Sequence, residues 1–446
     1  MNLFWWGSRL SRCSGNGIEM QNFYLIRWLK ENSRLDPDII DALKYELDKR
    51  LYYYGEQFAY PAEKSAIAGK FGRVRAALKE KVLSFNKLRM GAPGGNSGIR
   101  ISSNAYFSFN SALTKRGFSV INAPWNMGRG EFVDAGLYRR IRAVRSFLEN
   151  ADFKELITDE FAAEMRGLKA GLKEYYLRAG ISALVVPFDL PVFEQLAIKI
   201  FKELGLPSFI SLHGLPGRYN NIDDNRTDHL LVWGDKIKEF YVRAGISPEK
   251  IIVTGHPSYK TLPAGAPRFS LDNVLVISKS MGGTQHSAEE ILSDRGNLVL
   301  YLYSVQKALE KAGVRQARLR LHPSESERWY RRFVDEKFFV PDREGLCASL
   351  TRSTLVIGPT STVFLESLLA GVNYVIYEPA AGNMDLVNYP LVPPFDGTEQ
   401  GIPAAQTEEA LEKILNTRSC VSPAVLGGYI KNPFDLSFIE KIVSPK

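Results

Sequence analysis

Cysteine and histidine are scarce in this 446-residue chain, and long apolar runs are missing. Its three cysteines, Cys13, Cys347 and Cys420, are widely spaced and odd in number, which argues against a disulfide framework or a zinc cluster and fits a reducing compartment. No stretch reaches the roughly 18 uncharged apolar residues that a membrane span needs. The opening MNLFWWGSRL is interrupted at once by Arg9 and Arg12, so it reads poorly as a secretory signal, and a cytoplasmic location is expected.

What is present is the composition of a globular protein, 45% hydrophobic and 24% charged, in a chain long enough for two or three domains. The net charge of +8 favours acidic partners such as nucleotide phosphates, anionic glycans or anionic lipid, although many ordinary enzymes are as basic. The charge is spread along the chain without a nucleic-acid module, so no nucleic-acid partner is expected. The densest basic segment, residues 69–90, sets Lys70, Arg73, Arg75, Lys79, Lys81, Lys87 and Arg89 against a single acid, Glu80. Its apolar residues fall near helical spacing, which suits either a solvated face of a packed helix or a peripheral contact with an anionic membrane.

From about residue 95 the chain alternates short apolar runs with helical stretches, twice over, which predicts an α/β protein with two Rossmann-like doubly wound domains facing a cleft. GIRISS, FSVINAP, ISALVVP, SFISLHG, DHLLVWG and KIIVTGHP form the first series. One long helical passage, residues 132–179, lies within it. PAGAPRFSLDN breaks the rhythm as a linker. NVLVISKS, RQARLRLHP, KFFV, STLVIGPTS and NYVIYEP form the second series. The expected domains are a helical N-terminal extension (1–95), an acceptor domain (96–262), a nucleotide-sugar donor domain (268–425) and a C-terminal helix (426–446) that packs back on the first domain.

Open sheets of this kind bind ligands at the carboxyl ends of their strands. Three stretches of the second series place polar residues there. In ARLRLHPSES, His322 and Pro323 end a strand, and the spacing of Ser324 and Glu327 forms a capping box that predicts a helix start at Ser324. Free amides at such a start attract phosphate, and His322 can donate to it. A capped helix beside a chance histidine fits equally well. In STLVIGPTSTVFLESLLAG, Thr360, Ser361 and Thr362 put three hydroxyls at a second helix start, where capping uses only one, and Glu366 one turn on can accept bonds from a ribose. In ISKSMGGTQHS, Ser278 and Lys279 precede a Gly282-Gly283 loop that matches neither the Walker loop nor the dinucleotide fingerprint, yet can offer backbone amides to phosphate.

His322-Pro323, followed some forty residues later by Thr360-Ser361-Thr362, resembles the HP and Ser/Thr motifs of bacterial sialyltransferases and related capsule-polysaccharide enzymes of the GT-B fold. The resemblance covers about residues 272–380 and implies that both motifs hold the CMP part of a CMP-activated sugar. VWGDKIKEFYVRAGISPEKIIVTGHPSY looks more loosely like the crossover segment of GT-B transferases, teichoic-acid glycerophosphotransferases and UDP-sugar epimerases, which brings His256 toward the donor. One departure matters: the acidic D/E-D/E-G motif that holds the base in sialyltransferases has no convincing counterpart here.

The base must therefore be sought among strand ends of the first series. His213, in SFISLHGLPG, follows a strong apolar strand and resembles the His-Gly of teichoic-acid polymerases, where such a histidine serves as base. A buried loop histidine is the plainer reading. Asp189 after ISALVVP and Glu194 on the next helix are the other candidates, Asp189 as base or as nucleophile. Asp223, Asp224, Arg226 and Asp228 lack a recognised metal-ligand spacing, so no metal site is expected. His229 and His286 read as incidental.

The expectation is a GT-B glycosyltransferase that needs no cofactor. It would take a CMP-linked nucleotide sugar, with a ulosonic acid favoured, as substrate, and a surface polysaccharide or glycolipid as acceptor, at the inner face of the cytoplasmic membrane. A CDP-polyol phosphotransferase, a UDP-sugar epimerase and a non-catalytic sugar-nucleotide-binding assembly partner are the alternatives.

Overall fold

The structure, a computed structural model, describes residues 23–33, 35–52, 98–126, 134–189, 191–212, 214–215, 227–259, 263, 265–279, 288–323, 325, 327–379, 386 and 391–443. The basic segment 69–90, His213, Gly282, Gly283 and Ser324 lie outside them.

Among the described residues, twelve strands form two six-stranded parallel sheets. The first holds β1 (Arg100–Ser103), β2 (Ser119–Asn122), β3 (Ala183–Val186), β4 (Ser208–Ser211), β5 (His229–Val232) and β6 (Ile251–Val253), in the order β2-β1-β3-β4-β5-β6. The second holds β7 (Val274–Ile277), β8 (Ala317–Arg320), β9 (Phe339–Pro341), β10 (Leu355–Gly358), β11 (Tyr374–Tyr377) and β12 (Ala404–Ala405), in the order β12-β11-β10-β7-β8-β9. Counted from its own first strand, the second sheet runs 3-2-1-4-5-6, the doubly wound dinucleotide-fold order, while the first follows the other common doubly wound order, 2-1-3-4-5, with a sixth strand added. The protein is thus α/β with two Rossmann-like lobes, the arrangement that the GT-B resemblance implies.

Parallel strands need crossover helices on both faces, so their residues must be apolar on both sides. Ala183 and Val185 of β3 join Ile101, Phe209 and Leu231 in one cluster, whereas Leu184 and Val186 join the helical cluster on the opposite face. The second sheet repeats this: Val274 and Val276 face one cluster, and Leu275 and Ile277 face another that also takes in Leu230 and Val232 of the first lobe.

Between β2 and β3 the expected helical passage consists of two α-helices, Ala135–Asn150 and Asp159–Ala179. Thr158 restarts the chain as an N-cap, its hydroxyl accepting from Phe161 N at 3.2 Å. The helices Phe23–Asn32 and Pro37–Tyr52 pack through Ile26, Leu29, Ile39, Ile40, Leu43 and Leu47 on the helical face of the first lobe.

The chain crosses between lobes twice. On the first crossing, Arg268 bridges Val372 just before β11, its N–H donating to Gly371 O at 2.8 Å and its carbonyl accepting from Asn373 N at 2.9 Å. On the return, Lys431 N donates to Trp233 O at 2.7 Å and Asp435 N to Thr254 O at 2.8 Å, and Leu436 and Ile439 bury themselves under the first sheet. Gly234 and Gly255 make the return possible: a Cβ on Gly234 would lie 2.3 Å from the Tyr429 carbonyl carbon, and one on Gly255, at φ +81°, 2.4 Å from Lys431 O.

Candidate functional site at the carboxyl ends of the two sheets

In the second sheet the strand order reverses between β7 and β10, the place where doubly wound sheets leave a crevice. Ser278 and Lys279 follow β7 there, Thr360 follows β10, His322 follows β8 and Glu378 follows β11, so four adjacent strands deliver their next residues to one edge. The Ser278 hydroxyl accepts from His322 N at 2.9 Å, tying two of these ends together. Lys279, 9% exposed, lies with Nζ 3.3 Å from Glu378 Oε1. Glu378 is fully buried; Oε1 also accepts from Thr360 N at 2.6 Å, and Oε2 accepts from Leu386 N at 2.7 Å. Thr360 Oγ1 is buried with no hydrogen-bond partner among the described residues.

His322 and Pro323 are exposed and border a cavity of about 220 Å³ that Leu321, Tyr330, Phe339 and Asp342 also line. What enclosure the His322 ring has pushes its pKa down from the ordinary histidine value. The helix expected to start at Ser324 instead spans Glu327–Tyr330. Glu327, the acid of the expected capping box, is held by Arg331 at 2.7 Å and Arg343 at 2.7 Å, and these two guanidiniums bring its carboxyl down to about 2. Four residues of helix carry little dipole, so the anion-attracting start read from the sequence is not formed there. The helix after β10, Val363–Leu369, is seven residues long; Ser361 Oγ accepts from Val363 N at 3.2 Å and the Thr362 side chain makes no capping bond. The hydrogen-bond donors that the described helix starts on this edge offer are therefore hydroxyls and individual amides.

The two sheets meet at these ends. A Cβ on Gly214, just after β4, would lie 3.3 Å from Thr362 Oγ1. Beside this seam, His256 stacks on Tyr259 with ring centroids 3.8 Å apart and on Tyr106 at 5.8 Å, with Trp233 edge-on at 4.8 Å. Burial lowers the His256 pKa to about 4. Its Nδ1 accepts from Ser258 N at 3.2 Å, which leaves the proton of the neutral ring on Nε2. The Tyr259 hydroxyl donates to Glu366 Oε1 at 3.5 Å, and burial pushes the Glu366 carboxyl above the usual range against the opposing pull of that bond and of Arg320. Leu212 O accepts from both the Tyr106 hydroxyl, at 3.3 Å, and Trp233 Nε1, at 3.2 Å, which fixes the backbone next to position 213.

At the switch point of the first sheet, between β1 and β3, the acids expected from sequence are deeply placed. Asp189 is 3% exposed and its backbone carbonyl accepts from Gln195 Nε2. Glu194 is 6% exposed; its Oε1 accepts from Asn104 Nδ2 at 2.8 Å and Trp125 Nε1 at 3.0 Å. Burial raises its pKa, and these two bonds together with the Arg145 charge oppose the rise. Asp228 staples β4 to β5, its Oδ2 accepting from Ser208 N at 2.8 Å and Ser208 Oγ at 2.7 Å. The His229 ring stacks on Phe209 at 5.2 Å. Among the described residues no three metal-ligating side chains converge.

The structure thus brings Ser278, Lys279, His322 and Thr360 to one edge, and Thr362, Glu366 and His256 to the seam beside it. Asp189 lies between β3 and the helix Val192–Glu203, and Glu194 lies on that helix, in the first lobe. Reading the sequence missed Glu378, Tyr106, Trp233, Tyr259, Asn104 and Trp125. Glu378, Trp233 and Asn104 each directly follow a strand, so the strand-end rule applied to every strand would have marked them.

No family model matches the chain, and no curated protein matches it. Among solved structures, the chain is similar to the UDP-GlcNAc 2-epimerase from Neisseria meningitidis bound to UDP-GlcNAc, at TM-score 0.44 and 11% identity over 77% of this chain and 97% of that one. It is similar to the UDP-GlcNAc 2-epimerase of Methanocaldococcus jannaschii in complex with UDP-GlcNAc and UDP, at TM-score 0.43 and 12% identity over 76% and 96%. It is also similar to a variant of the wall teichoic acid polymerase TagF, at TM-score 0.41 and 12% identity over 84% and 97%. Likeness at this level does not carry activity, and the fold class stands on the strand order.

Proposed function

We propose that the chain is a glycosyltransferase that moves a ulosonic acid, of the sialic, Kdo, legionaminic or pseudaminic kind, from a CMP-activated donor to a surface polysaccharide or glycolipid. The observation that carries this reading is the edge of the second sheet, where Ser278, His322 and the unpartnered Thr360 hydroxyl gather at the strand-order reversal around a lysine already paired with Glu378. Neutral donors of this kind suit the single charge of a phosphodiester, and the HP and Ser/Thr motifs supply the likeness to CMP-sugar enzymes. His322, Pro323, Ser324, Ser278 and Thr360 to Thr362 hold the phosphate with the Gly282-Gly283 loop, Glu366 takes the ribose, and His256 supports the donor from the seam.

In the transfer, a base removes the acceptor hydroxyl proton, the oxygen attacks the anomeric carbon, and the bond from that carbon to the phosphate oxygen breaks to release CMP. We assign the base to His213, because the neighbouring Gly214 abuts Thr362 while Glu194 Oε1 is committed to Asn104 and Trp125. Asp189 and Glu194 then shape the acceptor side. Acceptors of this class are membrane-borne, and the basic segment 69–90 supplies the contact at the inner face of the membrane.

Thermal shift with CMP, CDP, UDP and GDP is expected to show selective stabilisation by CMP. Preference for UDP, or epimerised UDP-GlcNAc as product, would overturn the assignment. His213→Ala is expected to abolish transfer while CMP still binds; unchanged biological activity in that variant would instead favour a non-catalytic assembly partner.

A further inference from the structure

We infer that Glu378 sets the charge preference of the donor site, by cancelling Lys279 so that the edge accepts a singly charged phosphodiester in preference to a diphosphate. The inference rests on the donor-site reading above and goes beyond it by naming the residue that selects the substrate's charge. Nothing in the sequence couples the two residues, which stand 99 positions apart. In the fold, one follows β7 and the other β11, with only β10 between those strands.

The geometry gives Glu378 two tasks. Its Oε1 holds both the Lys279 ammonium and the Thr360 amide, and its Oε2 holds the Leu386 amide, so it ties together the turns that flank the strand-order reversal. It is also fully buried, and Lys279 nearly so, which keeps solvent from screening the pair. A lysine at such a crevice is the ordinary partner of a phosphate, but here its charge is already matched. Among the described residues at this edge, what remains for an incoming nucleotide beside the His322 ring is hydroxyl and amide donors, and a second phosphate charge would find no cation from this pair.

The test uses the full-length protein and compares affinities within one base, CMP against CDP and UMP against UDP, since each pair differs by one charge. Glu378→Gln leaves the Lys279 charge unmatched and is expected to raise the diphosphate-over-monophosphate affinity ratio about fivefold, the effect of one unit charge at roughly 8 Å in an effective dielectric constant of about 40. Lys279→Met leaves the carboxylate unmatched and is expected to move the same ratio in the opposite direction, so the inference is still tested if the first variant does not fold. Ratios within twofold of wild type in the folded variants, with nucleotide still bound, would overturn the role of Glu378 and leave the donor site standing. Failure of the wild-type protein to bind either pair would overturn the donor site itself, and the inference with it.

Discussion

His256 is neutral in the fold because burial holds its pKa near 4, below the ordinary 6.5. A histidine with a depressed pKa contributes stability that is fully present above the unfolded value and is lost as pH falls through the folded one. Thermal melting is therefore expected to weaken between pH 6.5 and 4, and the gap corresponds to about 3 kcal/mol. His256→Phe, which keeps the ring stack, should flatten that part of the curve; an unchanged acid limb would mean that another group controls it. Glu194 has the opposite sign, since its raised pKa favours the protonated fold and its ionisation works against stability as pH rises above the ordinary carboxylate range. Glu194→Ala would strand the Trp125 and Asn104 donors at a cost of about 1–3 kcal/mol each. Urea titration of Glu194→Gln and Glu194→Ala should therefore separate them, with the alanine variant the weaker.

The two N-terminal helices are docked by an ion network as well as by their apolar faces. Asp38 accepts from Lys169 at 2.8 Å and Lys199 at 2.9 Å, Lys199 also reaches Asp41 at 3.1 Å, and Lys169 reaches Glu203 at 2.6 Å. Partial burial pushes the Asp38 carboxyl up, yet the two ammonium groups outweigh it and hold the group at about 2. The stability this gives is present above the ordinary aspartate value near 3.8 and is lost as pH falls toward 2. Asp38→Asn should lower stability by about 1 kcal/mol at neutral pH, a value kept small by solvent screening, and by nothing measurable at pH 2. A melting comparison at the two pH values checks this.

Elements built from local apolar pattern were legible: every run read as a strand in the two series carries one, the central strands ALVV, VLVI, LVIG and YVIY because burial on both faces demands unbroken apolar or small residues, and ARLR because its apolar and charged residues alternate. What was not legible depended on partners remote in sequence. The spacing of Ser324 and Glu327 suggested a helix start that the fold does not use, because Arg343, 16 residues beyond Glu327, holds the carboxylate. The passage read as helical is divided between the C-cap Ala151 and the N-cap Thr158, a division the composition did not mark. Much of the candidate site was visible as strand-end residues, whereas Glu378 and the Leu212 carbonyl acquired meaning only when the sheets placed them.

Taken whole, the molecule depends on a return crossing for its first lobe to be complete. Leu436 and Ile439 are buried against Phe109, Phe118 and Phe209, so replacing both with alanine should cost several kcal/mol, about 2–5 for each site, and should melt the first lobe along with the C-terminal segment. Gly234→Ala should do similar damage by a different route, since the added methyl would collide with the Tyr429 backbone instead of emptying a site. Two-state loss in both variants, followed by tryptophan fluorescence, would support the shared dependence; a first lobe that melts as wild type would refute it.

Because two strands of chain span the junction, a protease that nicks only one of them leaves the halves tethered. Partial digestion should therefore give fragments that part on a denaturing gel yet travel together through a sizing column.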